Sequence, residues 1–137
     1  MVSRESQSPV ISLMLAVPNA AAAIEWYSSA LGARLLWSLG SVAGMELDGA
    51  VFFLAEPDGN VWDSPQGLGG TTVRVELFCD DPDAVLKHAL EAGASGDLND
   101  LQDHERPWGT HRQGRFTDPF GHIWFVGDRS PLRSFPA

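Results

Sequence analysis

Cysteine is nearly missing from this chain. Its single copy, Cys79, leaves no partner for an internal disulfide, so nothing in the sequence calls for an oxidising compartment. Basic residues are scarce as well: 9 Lys and Arg stand against 18 Asp and Glu, a formal charge of −9. That balance argues against nucleic acid and against anionic membranes as partners, because both select basic surfaces. No apolar run approaches the roughly 20 residues that span a bilayer, and the polar first ten residues lack the apolar core of a signal peptide. The expectation is a cytoplasmic protein whose acidic surface attracts cations rather than repelling them.

What the chain has in quantity is turn chemistry, spaced so that one pattern occurs twice. Val10 to Val17 alternates as a strand, with Leu13, Leu15 and Val17 on one face and Ser12, Met14 and Ala16 on the other. Pro18 ends it, Asn19 caps a helix carrying Ile24, Trp26, Tyr27 and Leu31, and Gly32 closes that helix. Three short β-prone runs follow, 33–39, 42–47 and 50–55, the last two joined by Asp48-Gly49, a two-residue hairpin signal. From Glu56 to Gly70 the composition turns to Pro, Gly, Asp and Asn, with one large aromatic, Trp62, set among them.

The pattern then restarts. Thr71 to Cys79 reads as a strand with Arg74, Glu76 and Phe78 on one face, and Asp81-Pro82 opens a second helix that ends near Gly93. Thr117-Asp118-Pro119-Phe120-Gly121-His122 is a tight turn launching the apolar strand 123–126, and it answers the turn at Gly49. Its later position implies an insertion of about a dozen residues between Ser95 and Glu105. The expected organisation is one domain over residues 1–137, α+β in class. A βαβββ module spans about 10–56, a linker about 57–70, a second module about 71–128, and a tail 129–137. Neither module is large enough to close a core alone, so the two are expected to pair as a concave half-barrel with helices outside.

These residues resemble the glyoxalase, bleomycin-resistance and extradiol-dioxygenase superfamily, also called vicinal oxygen chelate proteins. The resemblance rests on three stretches: Val17-Pro18-Asn19 through Ala30-Leu31-Gly32-Ala33, Cys79-Asp80-Asp81-Pro82-Asp83 through Ala92-Gly93-Ala94, and Trp108-Gly109 followed by Thr117 to Trp124. It implies a homodimer that binds a small molecule, and in metal-using relatives a His in a module's first strand and a Glu in its last. The corresponding positions here hold Ser12, Arg74, Phe53 and Phe125. A guanidinium repels a metal ion and a phenyl ring has no lone pair, so the expectation is no cofactor and no metal. The alternative is a divalent-metal lyase, isomerase or dioxygenase that uses other ligands, such as His111, Glu76 and His122.

Candidate ligand-binding residues follow from the same frame. Trp26 and Trp124 fall where helix meets sheet and read as core. Trp37 lies in a strand beside the cavity, and Trp62 and Trp108 lie in loops, where rigid aromatics commonly serve recognition. With Phe53 and Phe125 they form the expected apolar lining, and Arg74 or Glu76 fixes orientation. The resemblance to bleomycin-resistance proteins implies an aromatic, cationic antibiotic or metabolite held by binding alone. His122 reads as a turn residue, His88 as solvated, and the acids around His104 and His111 as a solvated loop.

Overall fold

Asn19 and Asp81 do what capping residues do. Each has non-helical backbone, and its side-chain oxygen accepts a hydrogen bond from the N–H three residues on, Ala22 and Ala84. In the computed structural model, which describes residues 8–59 and 61–133, these caps open α1 (Ala20–Leu31) and α3 (Pro82–Glu91). Most of the polar first ten residues and the end of the tail fall outside the described residues.

The first half supplies β1 (Met14–Ala16), β2 (Arg34–Ser38), β3 (Val42–Leu47) and β4 (Ala50–Ala55), in sheet order β1-β4-β3-β2 with β1 parallel to β4. Asp48 and Gly49 both have positive φ, 47° and 92°, which gives the β3–β4 hairpin a twist matching its strands. The second half supplies β5 (Val75–Phe78), β6 (Ser95–Gly96), β7 (Gln102–Arg106), β8 (Gly109–Thr117) and β9 (Ile123–Gly127). Its order is β5-β9-β8, with β6 and β7 both paired to β8 and β5 parallel to β9. The same plan is therefore executed twice, as two open sheets that no ladder joins among the described residues.

Three expectations need correction. The first strand is confined to Met14–Ala16, which pair with Phe53–Ala55 of β4, and Val10 and Ile11 stand exposed. The strand after the linker likewise begins only at Val75, and Val73 is more than half exposed. Within the linker, Ser64 caps a one-turn helix, α2 (Pro65–Leu68), with proline at its first position.

The core lies on the helix side of both sheets and mixes the two halves. Leu15, Val17, Tyr27, Met45 and Leu54 pack with Leu86, Phe116, Trp124 and Val126. Phe116 and Trp124 stack at 5.8 Å, and Tyr27 meets Trp124 at 5.7 Å. The Trp26 indole N–H donates to the Ala92 carbonyl at the end of α3, 2.9 Å away, so the two helices are tied as well as packed.

At the centre is Asp118, 4% exposed. One carboxylate oxygen accepts from the Tyr27 hydroxyl and the Trp124 indole N–H; the other accepts from the backbone N–H groups of Phe120 and His122. Burial first, then the Asp118 charge and hydrogen bond, hold the Tyr27 phenol well above its ordinary pKa. His122 completes the joint: its Nε2 bonds the Ala16 carbonyl in β1.

Candidate functional site

Because the helices cover one face of each sheet, the opposite faces stay open, and strand alternation decides what they carry. On the first sheet, Met14, Phe53, Gly44 and Trp37 form one row across β1, β4, β3 and β2. The Trp37 ring lies on Gly44 and reaches to 6.0 Å from the Phe53 ring. Only glycine fits beneath it, since a β-carbon at position 44 would stand 2.6 Å from the indole nitrogen. Met14, Trp37 and Val51 remain exposed, so this face is an apolar, aromatic shelf.

The second sheet presents a different surface. Glu76, Phe125 and Arg115 form the matching row across β5, β9 and β8. The Arg74 guanidinium lies 3.9 Å over the centre of the Phe125 ring, and its Nε is 2.8 Å from Glu76. Arg115 enters none of the ion pairs among the described residues. Beside it a pocket of about 290 Å³ is lined by Asp100, Gln102, His104, Gln113 and Phe125.

The βαβββ repeat and its two open faces are the frame of one superfamily, and residues 10–126 match the family model for the Glyoxalase/Bleomycin resistance protein/Dioxygenase superfamily. The chain belongs to this superfamily. It is 36% identical over 138 residues to uncharacterized proteins of Mycobacterium bovis and Mycobacterium tuberculosis, covering 91% of this chain and 85% and 76% of theirs. Among solved structures it is similar to TioX from Micromonospora sp. ML1, with TM-score 0.67 and 24% identity over 88% of this chain and 98% of that one. It is also similar to the fosfomycin resistance protein FosX of Listeria monocytogenes, solved with Mn(II) and 1S,2S-dihydroxypropylphosphonic acid. That match has TM-score 0.67 and 15% identity over 93% and 98% of the two chains. At these identities the solved structures share a fold with this superfamily member.

A glyoxalase-type metal does not fit the residues present. Ser12 donates its hydroxyl to the Val51 carbonyl, Phe53 packs toward Trp37, and Arg74 lies on Phe125, so the four corresponding positions offer a cation and two rings. The other set is not brought together either: Glu76 is paired to Arg74, and His122 is bound to Ala16 beside the core. Among the described residues no group of three or more His, Cys, Asp or Glu is arranged to hold an ion.

His111 is buried at the far end of the second sheet, with Nδ1 2.8 Å from Asp128 and 3.2 Å from the Ser130 hydroxyl. Both partners use the same nitrogen, so these three residues do not form a hydrolytic triad, in which serine and aspartate take opposite nitrogens. Burial alone would raise the Asp128 carboxyl, but the N–H of Arg112, the Ser130 and His111 side chains and the N–H of Ser130 outweigh it and hold it far below the usual range. These bonds tie the residues after β9 to β8. Cys79 is half-buried, and burial pushes its thiol up, away from the reactive thiolate.

The seven residues singled out in the sequence therefore fall into groups. Trp37 and Phe53 meet on the first sheet, and Arg74, Glu76 and Phe125 meet on the second. Trp62 lines a separate cavity of about 570 Å³ beneath the linker, with Leu13, Met14, Leu68 and His122. Trp108 is half-buried at the tip of the β7–β8 hairpin, 6.5 Å from the His111 ring. Gln102, Gln113 and Arg115 escaped the sequence reading, and His104 and His111, expected in a solvated loop, stand in the paired strands β7 and β8. Counting back from the Gly121 turn in steps of two places Arg115 and Gln113 on the face of Phe125, so the signal was available.

Proposed function

We propose that this protein binds and sequesters an aromatic small molecule, an antibiotic or a metabolite, without a metal ion, and that it works as a homodimer. The observation that supports this best is the stack of Arg74 on Phe125, braced by Glu76, at positions where metal-using relatives carry ligands. A group placed there meets a ring and a guanidinium, which orient and hold but do not stabilise an enediolate or activate oxygen. The aromatic shelf of Trp37 and Phe53 gives a planar ligand its stacking surface, worth about 2–3 kcal/mol for two rings. A second copy has apolar surface to cover, since Met14, Trp37, Val51 and Leu39 are exposed.

The acidic balance of the whole chain is not the charge of the open face. Arg74 and Arg115 there meet Glu76 and Asp100, so the site does not select a cation on charge alone. Tryptophan fluorescence titrated with planar aromatic compounds tests the binding reading, with Trp37→Ala expected to weaken the response at least about tenfold. Metal analysis of untagged protein tests the other half. A stoichiometric divalent ion held by side chains would restore the lyase, isomerase or dioxygenase reading.

A further inference from the structure

The insertion in the second half does something specific to the sheet. β6 pairs with Phe116 and Thr117 of β8, β7 pairs with residues 109–113, and between them the chain leaves in a 3-10 turn over Leu98–Asp100. Gly114 and Arg115 therefore have no edge-strand partner. On the helix side the break is plugged: a β-carbon on Gly114 would stand 2.9–3.0 Å from Leu86 and Leu101. On the open face it leaves the 290 Å³ pocket, whose walls are the amides of Gln102 and Gln113, the His104 imidazole, the Phe125 ring and the Arg115 side chain.

We infer that this pocket is a carboxylate-binding subsite with Arg115 as its gripping group, and that the ligand is a planar aromatic acid. The inference rests on the binding reading above and names the ligand class for the same face. Arg115 stands at this break and enters none of the ion pairs among the described residues, and Glu76 in its own row is already taken by Arg74. A guanidinium fork matches a planar carboxylate with two parallel hydrogen bonds, and two flanking amides supply further N–H donors. Asp100 at the rim opposes negative charge, which favours a monoanionic carboxylate over a doubly charged phosphate. The first sheet carries an aromatic row at the matching place instead, and its β2–β3 ladder has a single irregularity between Leu35 and Trp37.

The test is isothermal titration calorimetry on the untagged full chain with three probes of one shape: naphthoate, its neutral amide, and the corresponding aminomethyl cation. Naphthoate is expected to bind about tenfold or more tighter than the amide and to weaken with added salt. Arg115→Gln should erase that preference, bringing naphthoate to the affinity of the amide on the same variant, and Arg115→Lys should keep only part of it. Arg115 is exposed, so both variants should unfold at the wild-type midpoint. Equal affinity for acid and amide, or an acid preference that survives Arg115→Gln, overturns the subsite. Tighter binding of the cation overturns it too but leaves aromatic binding standing, whereas failure of all three probes removes both readings.

Discussion

Replacing Asp118 with alanine asks whether one buried carboxylate joins the two halves. The change strips the acceptor from four donors at once: the Tyr27 hydroxyl, the Trp124 indole N–H 2.9 Å away, and the N–H groups of Phe120 and His122, each 3.0 Å away. A buried donor left unsatisfied costs about 1–3 kcal/mol, and partial relaxation or entry of water recovers some of the total. The expected loss is about 4 kcal/mol, a large share of the roughly 5–15 kcal/mol that a domain of this kind possesses. In urea, with a slope near 2 kcal/mol per molar, the midpoint should fall by about 2 M with the slope unchanged. Asp118→Asn retains one acceptor oxygen but turns an amide N–H toward the indole N–H, so an intermediate loss is expected. The sharper measurement is a cycle with Tyr27→Phe, which should cost clearly less in the Asp118→Ala background than in the wild type. A midpoint shift under about 0.5 M, or strict additivity in the cycle, would show that the halves are held by apolar packing alone.

Tyr27 is the only tyrosine, so absorbance reads its ionisation directly. Its raised folded pKa contributes stability that is complete below about pH 10, the unfolded value, and is lost as pH rises further. Phenolate should therefore appear together with alkaline unfolding, and Tyr27→Phe should flatten that limb. Asp128 works in the opposite direction. Its depressed pKa stabilises the fold above about pH 4 and stops doing so as pH falls, so the deficit of Asp128→Asn should shrink in acid. Gly44→Ala should displace Trp37 from its seat and weaken aromatic ligands about tenfold, with unfolding changed by no more than about 1 kcal/mol.

Local chemistry was legible in the sequence wherever it acts locally. Asn19, Asp81-Pro82 and Asp48-Gly49 fix their helix starts and hairpin through atoms a few residues away, and the structure has them as read. Ser64-Pro65 carried the same kind of signal for α2 but was hidden by the loop composition around it. Strand ends were not legible, because Val10, Ile11 and Val73 are β-prone residues left outside the ladders with β4 and β9, and pairing is set by tertiary context more than by residue type. For the site, alternation put Phe53, Phe125, Arg74 and Glu76 on the open faces. The break opposite Arg115 was not readable, since it depends on where the inserted residues leave and rejoin β8. Trp108 stands in a turn as its surroundings in the sequence imply, while its neighbour there, the His111 ring 6.5 Å away, is set by the β7–β8 pairing and was not readable.

The hydrophobic core of the described residues lies behind the sheets, while the rows proposed to meet a ligand lie in front. A substitution at Met14, Val51 or Arg115 touches no part of the joint between the halves, and exposed changes of this kind typically move stability by less than about 0.5 kcal/mol. Selection can thus rewrite the front almost freely, one neutral step at a time, with each half drifting on its own. A lineage with this architecture changes its ligand far more easily than its shape.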